Sequence, residues 1–357
     1  MKSKSIQIIT GLAISVFILV ISIGGGLYMS GFISMPDLVS DDDSENISEV
    51  KLVNSTLDSS TLAEESLLSV VSIYTEENGE LNSQGSGFVY DNNYIMTNEH
   101  VIESGDKYYV QYNEGEWSEA ELIGADEHTD IAVLNPSEVP EYTEPLTLRE
   151  ELPERGNPVI ALGSPSDLSG SVTTGIVSGT NRNMNTMSQF TIPDSIQTDA
   201  ALNQGNSGGP LISVENEDVV GVNTATEGEN LGFAVSSRLS HIIGQSLIEN
   251  GEHSHSYVGI RTIELSPVVD IDDDIDKESG LLIEEVMEDS RNLDTLHTRE
   301  NAELPDIIVG IEGEEVTTNE QLTSYIMRNT TPGDSIDLEI YRDGSIQTVT
   351  IELGSRN

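Results

Sequence analysis

Cysteine is absent from this chain of 357 residues. Its absence excludes a disulfide framework, a thiol nucleophile, a zinc ribbon and a lipid anchored through a cysteine. We therefore expect packing alone to hold the fold together. An apolar fraction of 36% is lean but sufficient for ordinary cores, and the length allows two domains plus attachments. The sequence predicts no cofactor and no metal site.

Basic residues are also scarce. The chain has 15 Lys and Arg against 63 Asp and Glu, so the formal net charge is 15 − 63 = −48. Nucleic-acid-binding proteins present clustered basic side chains, and a chain with only five lysines is excluded from that class. Because the Debye length falls to roughly 3 Å at ~1 M salt, self-repulsion fades there. The charge favours the solvated surface of a halophile over an acidic binding face.

The N-terminal segment has no charged residue between Lys4 and Asp37. Residues 6–29 form an apolar run that would be about 36 Å long as a helix, enough to span a bilayer. Lysines precede the run and acidic residues follow it, so the positive-inside rule exports the rest of the chain. A cleaved signal peptide is the alternative, but its apolar region is normally shorter. We predict a cytoplasmic tail and transmembrane anchor over residues 1–30.

Composition divides the remaining chain into three parts. Residues 31–66 are rich in Ser, Asp and Glu and are predicted to be an extended, solvated, acidic tether. Residues 67–250 contain many short β-branched runs separated by turn residues, which favours an all-β barrel domain with one terminal helix. After a polar break, residues 256–354 predict a smaller α+β module of about five strands and a helix.

The sharpest local feature is the segment GNSGGPL, which runs from Gly205 to Leu211. An exposed nucleophile on a tight turn needs small neighbours, since they must admit the substrate backbone and direct N–H groups at a developing oxyanion. A glycine-rich loop that only makes a turn is the alternative. Ser207 is therefore a candidate nucleophile if a base and an orienting acid accompany it.

His100 is the candidate general base, because it directly follows a predicted strand and so has a rigid mount. Asp130 opens the buried strand DIAVL and is placed to fix the imidazole tautomer and stabilise the imidazolium. Asp126, nearby, lies in the preceding turn. The remaining histidines are interpreted as solvated or structural; they are His128, His241, His253, His255 and His297.

Several motifs together resemble the HtrA/Deg family of trypsin-like serine proteases. They are GSGF (85–88), TNEHV (97–101), TDIAVL (129–134), ALGSP (161–165) and QTDAA (197–201) running into GNSGGPL (205–211). The resemblance implies a chymotrypsin-like double β-barrel with the catalytic triad in the cleft between the barrels. It assigns His100 as general base, Asp130 as its orienter and Ser207 as nucleophile. It also implies an oxyanion hole formed by the backbone N–H groups of Gly205 and Ser207.

The resemblance to trypsin-like proteases also predicts features of the specificity pocket. A tryptic enzyme needs a buried carboxylate at the position that Ala201 occupies, so a basic substrate side chain would find no partner here. The pocket wall is expected to consist of Gly232, Phe233, Ala234 and Val235. We predict cleavage after small or medium aliphatic residues such as Val, Ala or Leu.

The C-terminal module resembles a PDZ domain. Tyr257, Val258, Gly259 and Ile260 are similar to its carboxylate-binding loop, whose amides capture a peptide C-terminus while the peptide adds as a strand. Later strands and a turn also match, although Pro305 replaces the family's usual glycine and residues 270–276 insert an acidic stretch. An anchor, one protease domain and one PDZ domain make the layout most similar to DegS-type members.

These features predict a single-pass membrane protein whose catalytic and PDZ domains lie on the extracytoplasmic side. The expected activity is serine endopeptidase action on misfolded or regulatory exported proteins, with unfolded or C-terminal peptide segments as partners. The resemblance implies a homotrimer regulated by the PDZ domain through loop ordering. The alternative is a membrane-tethered chaperone or peptide sensor with little proteolysis. Because all three triad residues are present, the enzyme is favoured.

Overall fold

The computed structural model describes residues 59–164, 170–185, 191–203, 205–226, 231–266, 277–288, 290–292, 294–298 and 301–356. All of them belong to one compact unit, Ser55–Asn357. The described residues form two closed β-barrels followed by a smaller unit of strands and one helix. The predicted double β-barrel is confirmed.

The first barrel follows helix α1, Ser59–Leu67, and closes in the strand order β1-β2-β3-β6-β5-β4. Its strands are β1 Val70–Glu77, β2 Glu80–Tyr90, β3 Tyr94–Thr97, β4 Lys107–Tyr112, β5 Trp117–Asp126 and β6 Ile131–Pro136, with the helical turn α2, Glu99–Ile102, after β3. Successive side chains of a strand point to opposite faces. Val71 and Ile73 thus fill the barrel interior, while Val70 packs in a central cluster that both barrels share.

The second barrel closes in the order β10-β11-β12-β9-β8-β7 and is followed by helix α3, Ser237–Asn250. Its strands are β7 Pro158–Gly163, β8 Ser171–Asn185, β9 Thr191–Thr198, β10 Pro210–Ser213, β11 Val219–Thr226 and β12 Gly232–Ser236. In β7, Val159 and Ala161 face the barrel interior, whereas Ile160 and Leu162 join the central cluster. Apolar residues on both faces of this strand therefore unite the two barrels around one core.

The C-terminal unit packs one helix against an antiparallel sheet. Its elements are β13 His255–Tyr257, β14 Ile260–Glu264, β15 Leu281–Val286, β16 Ile307–Ile311, β17 Glu314–Glu315, α4 Asn319–Asn329, β18 Ser335–Arg342, β19 Ser345–Glu352 and β20 Gly354–Arg356. The strand order is β14-β15-β16-β18-β19, with β17 beside β16, and β13 pairs with β20. Thr318 and Gln321 form a capping box that begins α4. Leu322 and Ile326 of α4 pack into the unit's core.

The N-terminal predictions fall largely outside the description. The predicted anchor over residues 1–30 lies outside the described residues, and so does the tether as far as residue 58. Within the ranges given above, no helix is long and apolar enough to cross a membrane. The last part of the predicted tether, residues 59–66, is not extended but belongs to α1. The reason is burial, because Leu62 and Ala63 pack into the central cluster.

Candidate active site

His100 lies in α2, directly after β3, and one carboxylate fixes it. Its Nδ1 lies 2.9 Å from both Oδ1 and Oδ2 of Asp130, and its backbone N–H donates to Oδ1 at 3.1 Å. Asn98 donates from Nδ2 to the Asp130 carbonyl at 2.9 Å. Because an ionised carboxylate only accepts, Nδ1 carries the proton and Nε2 is left as the basic nitrogen.

Asp130 is buried, and its φ of 58° places it in the left-handed region, which Asp tolerates better than most residues. Thr224 Oγ1 donates to its Oδ2. Burial, the strongest influence, opposes a charge on His100, but the hydrogen bond and charge of Asp130 together with nearby acids outweigh it and raise the pKa of His100. The pair thus stabilises an imidazolium, as a general base requires when it takes up a proton.

The loop that carries Ser207 belongs to the second barrel but is held by the first. The backbone N–H of Ser86 in β2 donates to the Ser207 carbonyl at 2.8 Å. The Ser86 hydroxyl donates to the Gly205 carbonyl at 2.5 Å and accepts from the N–H of Ser164 at 2.8 Å. The position of the candidate nucleophile therefore depends on contacts between the two barrels.

Close backbone packing explains the two glycines after Ser207. A Cβ on Gly208 would collide with the Ser86 carbonyl and the Thr97 hydroxyl, and its φ of 83° is left-handed. A Cβ on Gly209 would collide with the Leu162 carbonyl. The loop can approach β2, β3 and β7 this closely only because these side chains are missing.

The Ser207 side chain is half-buried, and its hydroxyl donates to the Thr224 carbonyl at 3.1 Å. Since Thr224 also donates to Asp130, one residue of β11 connects the candidate nucleophile to the candidate orienting acid. The structure thus brings all three predicted triad residues into one site.

The N–H groups of the Ser207 loop differ in whether they have an acceptor. The N–H groups of Asn206, Gly208 and Gly209 donate to nearby carbonyls. In the part of the chain that the structure describes, those of Gly205 and Ser207 have no acceptor. Two uncommitted N–H groups beside a nucleophile are what a developing oxyanion requires.

Three functional contacts were not predicted from the sequence. Thr224, Ser86 and Asn98 all bond to groups of the triad region, and all three are buried. The signal at Thr224 is a polar residue within the apolar strand VVGVNTA, and Asn98 directly follows the end of a strand, whereas Ser86 lies between two glycines of β2. Buried polar groups need partners, so such positions are candidates for functional hydrogen bonds.

The predicted pocket residues occupy different environments. Ala201 is exposed, whereas Phe233 and Val235 pack in the central cluster and Ala234 lies in the interior of the second barrel. A Cβ on Gly232 would lie 2.9 Å from the side chain of Leu202, which the sequence analysis did not name. The same Cβ would lie 3.3 Å from the Ala200 carbonyl oxygen, so Gly232 is bordered by an apolar side chain and a backbone carbonyl.

Glu99 is a second titrating group beside His100. Burial, followed by the negative charges of Asp130, Glu103 and Glu127, raises its pKa to about 7. Its ionised form in turn contributes to raising the pKa of His100. The pH response of the site therefore involves two adjacent groups.

The predicted carboxylate-binding loop, residues 257–260, lines a cavity of about 360 Å³. Leu322 and Ile326 of α4 line the same cavity. Behind the loop, the Ser290 hydroxyl donates to the Val258 carbonyl at 2.8 Å, and a Cβ on Gly259 would lie 2.6 Å from the Cβ of Ser290. A fixed loop beside an apolar helix face offers the setting in which a peptide adds to a sheet edge.

Known proteins share both parts of this architecture. Residues 85–222 match the trypsin-like peptidase domain and residues 257–353 match the PDZ domain. The chain is 35% identical over 283 residues to a probable periplasmic serine endoprotease DegP-like of Halomonas elongata, covering 77% of this chain and 57% of that protein. It is 30% identical over 327 residues to the serine protease Do-like HtrB of Bacillus subtilis, covering 81% and 69%.

A solved structure that resembles this chain is also an HtrA-type protease. The HtrA-type protease AlgW with tripeptide superposes with a TM-score of 0.70 at 28% identity, covering 84% of this chain and 97% of that one. The serine protease Do-like HtrA of Bacillus subtilis is 32% identical over 298 residues, which cover 76% of this chain. The chain spans 64% of that relative's length and 57% of the length of the Halomonas protein.

Proposed function

Because the chain belongs to the HtrA family of serine proteases, we propose that it is an endopeptidase acting on misfolded or regulatory exported proteins. Ser207 is the nucleophile, His100 the general base and Asp130 the group that orients the histidine. One observation carries this proposal. Asp130 lies 2.9 Å from Nδ1 of His100 and also accepts from Thr224, whose carbonyl accepts from the Ser207 hydroxyl.

The proposed reaction is acyl transfer. The Ser207 hydroxyl turns from Thr224 to Nε2 of His100, transfers its proton there and attacks the peptide carbonyl carbon. The N–H groups of Gly205 and Ser207 bond the resulting oxyanion. His100 then protonates the leaving amine, and water hydrolyses the acyl-enzyme with His100 again acting as base. Asp130 stays ionised throughout and stabilises the imidazolium.

We propose a preference for small or medium aliphatic residues before the cleaved bond. Ala201 supplies no carboxylate for a basic side chain, and the apolar side chain of Leu202 borders Gly232. A peptide-library profile dominated by Val, Ala and Leu is expected. A profile dominated by Lys and Arg would contradict this proposal and leave the triad assignment intact.

The PDZ cavity is proposed to bind unfolded or C-terminal peptide segments and to regulate cleavage in a homotrimer. Support comes from the loop over residues 257–260, which lines the cavity together with Leu322 and Ile326. The structurally similar AlgW is described with a tripeptide and with a decapeptide. A fluorescent peptide with a free C-terminal carboxylate should bind, and its amidated form should bind more weakly.

The proposed location is the extracytoplasmic face of the cell membrane, with residues 6–29 as the single span. Relatives named periplasmic support export, and the apolar run supports the anchor. The net charge of −48 supports operation in concentrated salt. Fractionation of cells into membrane and soluble parts tests the anchor, because a cleaved signal would release the protein.

Labelling with a fluorophosphonate probe in concentrated salt tests the chemistry. The wild type should label, whereas Ser207→Ala and His100→Ala should not. Ser240→Ala is the matched control, since Ser240 is a buried serine of α3 whose hydroxyl donates to the Ser236 carbonyl one turn earlier. Full labelling of Ser207→Ala would contradict the nucleophile assignment. If the wild type did not hydrolyse casein, and if wild type and Ser207→Ala protected unfolded proteins from aggregation equally, the chaperone alternative would be favoured instead.

A further inference from the structure

Three of the six histidines lie close together, His128 in the first barrel and His253 and His255 where the C-terminal unit begins, and none takes part in the proposed proteolysis. His255 Nε2 lies 2.8 Å from Oδ1 of Asp126, and His128 Nδ1 lies 3.8 Å from the same oxygen. His253 packs edge-on against the His255 ring, with centroids 4.6 Å apart. From the sequence alone each of these histidines is interpreted as solvated or structural, because only the tertiary fold brings them close together.

The two oxygens of the Asp126 carboxylate have different partners. Its Oδ2 accepts from the backbone N–H of Thr129 at 3.1 Å and also from the Thr129 hydroxyl. Its Oδ1 therefore faces the histidines in a fixed orientation. Hydrogen bonds of this kind orient the carboxylates that bind metals. Asp126 and His255 are buried and His128 is half-buried, which distinguishes the group from a solvated acidic surface.

We propose that Asp126, His128 and His255 bind one divalent transition-metal ion of the Zn²⁺ class. Their three ligand atoms lie within 4.8 Å of one another. A tetrahedral Zn²⁺ ion with bonds of about 2.0–2.1 Å places two such atoms about 3.3 Å apart. This value falls between the 2.8 Å and 3.8 Å separations from Asp126 Oδ1. The ion would take the place of the proton that His255 shares with Asp126.

The ligand types select the metal. Imidazole nitrogens suit Zn²⁺ and neighbouring first-row ions, whereas Ca²⁺ and Mg²⁺ prefer all-oxygen sites. Arg356 opposes a cation here, while Glu127 and the net charge of −48 favour one.

The three proposed ligands come from two different parts of the fold. Asp126 ends β5 and His128 lies in the following turn, both in the first barrel, whereas His255 begins β13 of the C-terminal unit. His128 and His255 also line the cavity beside residues 257–260. A bound ion would thus fasten the C-terminal unit to the barrel next to the peptide loop. We expect Zn²⁺ to raise the thermal midpoint of the protein.

Calorimetric titration of the full chain tests the site. The protein should carry a non-histidine affinity tag, be purified in mild detergent, and be stripped with a chelator before Zn²⁺ is added in concentrated salt. One equivalent is expected to bind in the wild type. Co²⁺ as a spectroscopic substitute should give visible absorption from coordination by nitrogen and oxygen. His128→Ala and His255→Ala should lose both the stoichiometric binding and the thermal shift.

Two further variants keep the test decisive. Thr129→Val removes one hydrogen bond to Oδ2 and should weaken Zn²⁺ binding about 10–100-fold without removing a ligand. His241→Ala changes an exposed histidine of α3 and should bind one equivalent as the wild type does. Absent binding in the wild type, or full binding by His128→Ala, would overturn the proposal. Fluorophosphonate labelling of the stripped protein reports on the protease separately, so either proposal can fail alone.

Discussion

Ser86 donates its backbone N–H to the carbonyl oxygen of Ser207 across the boundary between the two barrels, at 2.8 Å. Together with the bond from the Ser86 hydroxyl to Gly205, this contact fixes the backbone on both sides of Asn206. The N–H groups of Gly205 and Ser207 are thereby held in one arrangement. The geometry of the proposed oxyanion hole is thus a property of the barrel interface as much as of the loop.

Gly208→Ala tests this dependence. The new Cβ would meet the Ser86 carbonyl and the Thr97 hydroxyl, so the loop must move away from β2. We expect loss of fluorophosphonate labelling and a lower midpoint of denaturation. Gly79→Ala is the matched control, because Gly79 has the same φ of 83° but nothing within 4 Å of its added Cβ. The control should lose only about 1–2 kcal/mol of stability from left-handed strain and remain active. Equal effects of the two variants would refute the packing argument.

Asp130→Asn separates orientation from folding. Asn tolerates the left-handed φ of 58°, so the variant should fold, but its amide can donate to Nδ1 of His100 and favour the wrong tautomer. We expect kcat for a peptide substrate to fall about 10⁴-fold with a small change in stability. Asp130→Ala should lose activity as well and be less stable, since Ala is strained at this φ. An Asn variant with wild-type kcat would remove Asp130 from the mechanism.

Much of the fold could be predicted from local patterns. Strand β7 is an apolar run bounded by turn residues, and its burial on both faces follows from that composition. Strand β9 cannot be predicted in this way, because Pro193 and Asp194 interrupt its pattern. In the structure Asp194 has a φ of 63° and is buried, and Arg238 and Ser236 bond its carboxylate. This strand thus depends on partners more than 40 residues away, which no local pattern reveals.

The residues of the candidate site also differ in whether the sequence could predict them. Ser207, His100 and Asp130 could be predicted because motifs of known order surround them. Thr224 could not, because the closure of the second barrel places β11 between Ser207 and Asp130. The contact between His255 and Asp126 spans 129 residues and has no sequence motif at all.

Glu99→Gln should change the pH dependence of catalysis. His100 must be neutral to act as a base, so activity rises as pH increases through its raised pKa. Ionised Glu99 helps to raise that pKa, and the neutral amide does not. We therefore expect the rising limb of the kcat/KM profile to move to lower pH. Glu315→Gln, at an exposed position of the C-terminal unit, is the control and should leave the profile unchanged.

The same substitution has a stability signature. The folded-state pKa of Glu99 is about 7, above the ordinary value of 4.5, so the protonated form is favoured by folding. Stability from this group is present at pH below 4.5 and is lost as pH rises to about 7. Glu99→Gln should therefore be more stable than wild type above pH 7. Thermal midpoints that differ equally at acidic and alkaline pH would contradict this reading.

Arg342→Ala should weaken the C-terminal unit selectively. Arg342 donates from Nε to Oδ1 of Asp306 at 2.7 Å and from a terminal nitrogen to Oδ2 at 2.6 Å, and Asp306 is fully buried. Removing the arginine leaves a buried carboxylate without its cation, which costs about 3–5 kcal/mol. Arg261→Ala breaks exposed pairs with Glu284 and Glu285 and should cost less than about 1 kcal/mol. Denaturant unfolding measures both variants in concentrated salt, where exposed pairs are screened but the buried pair is much less affected. If the two arginine variants unfolded at the same midpoint, the buried pair would not stabilise this unit.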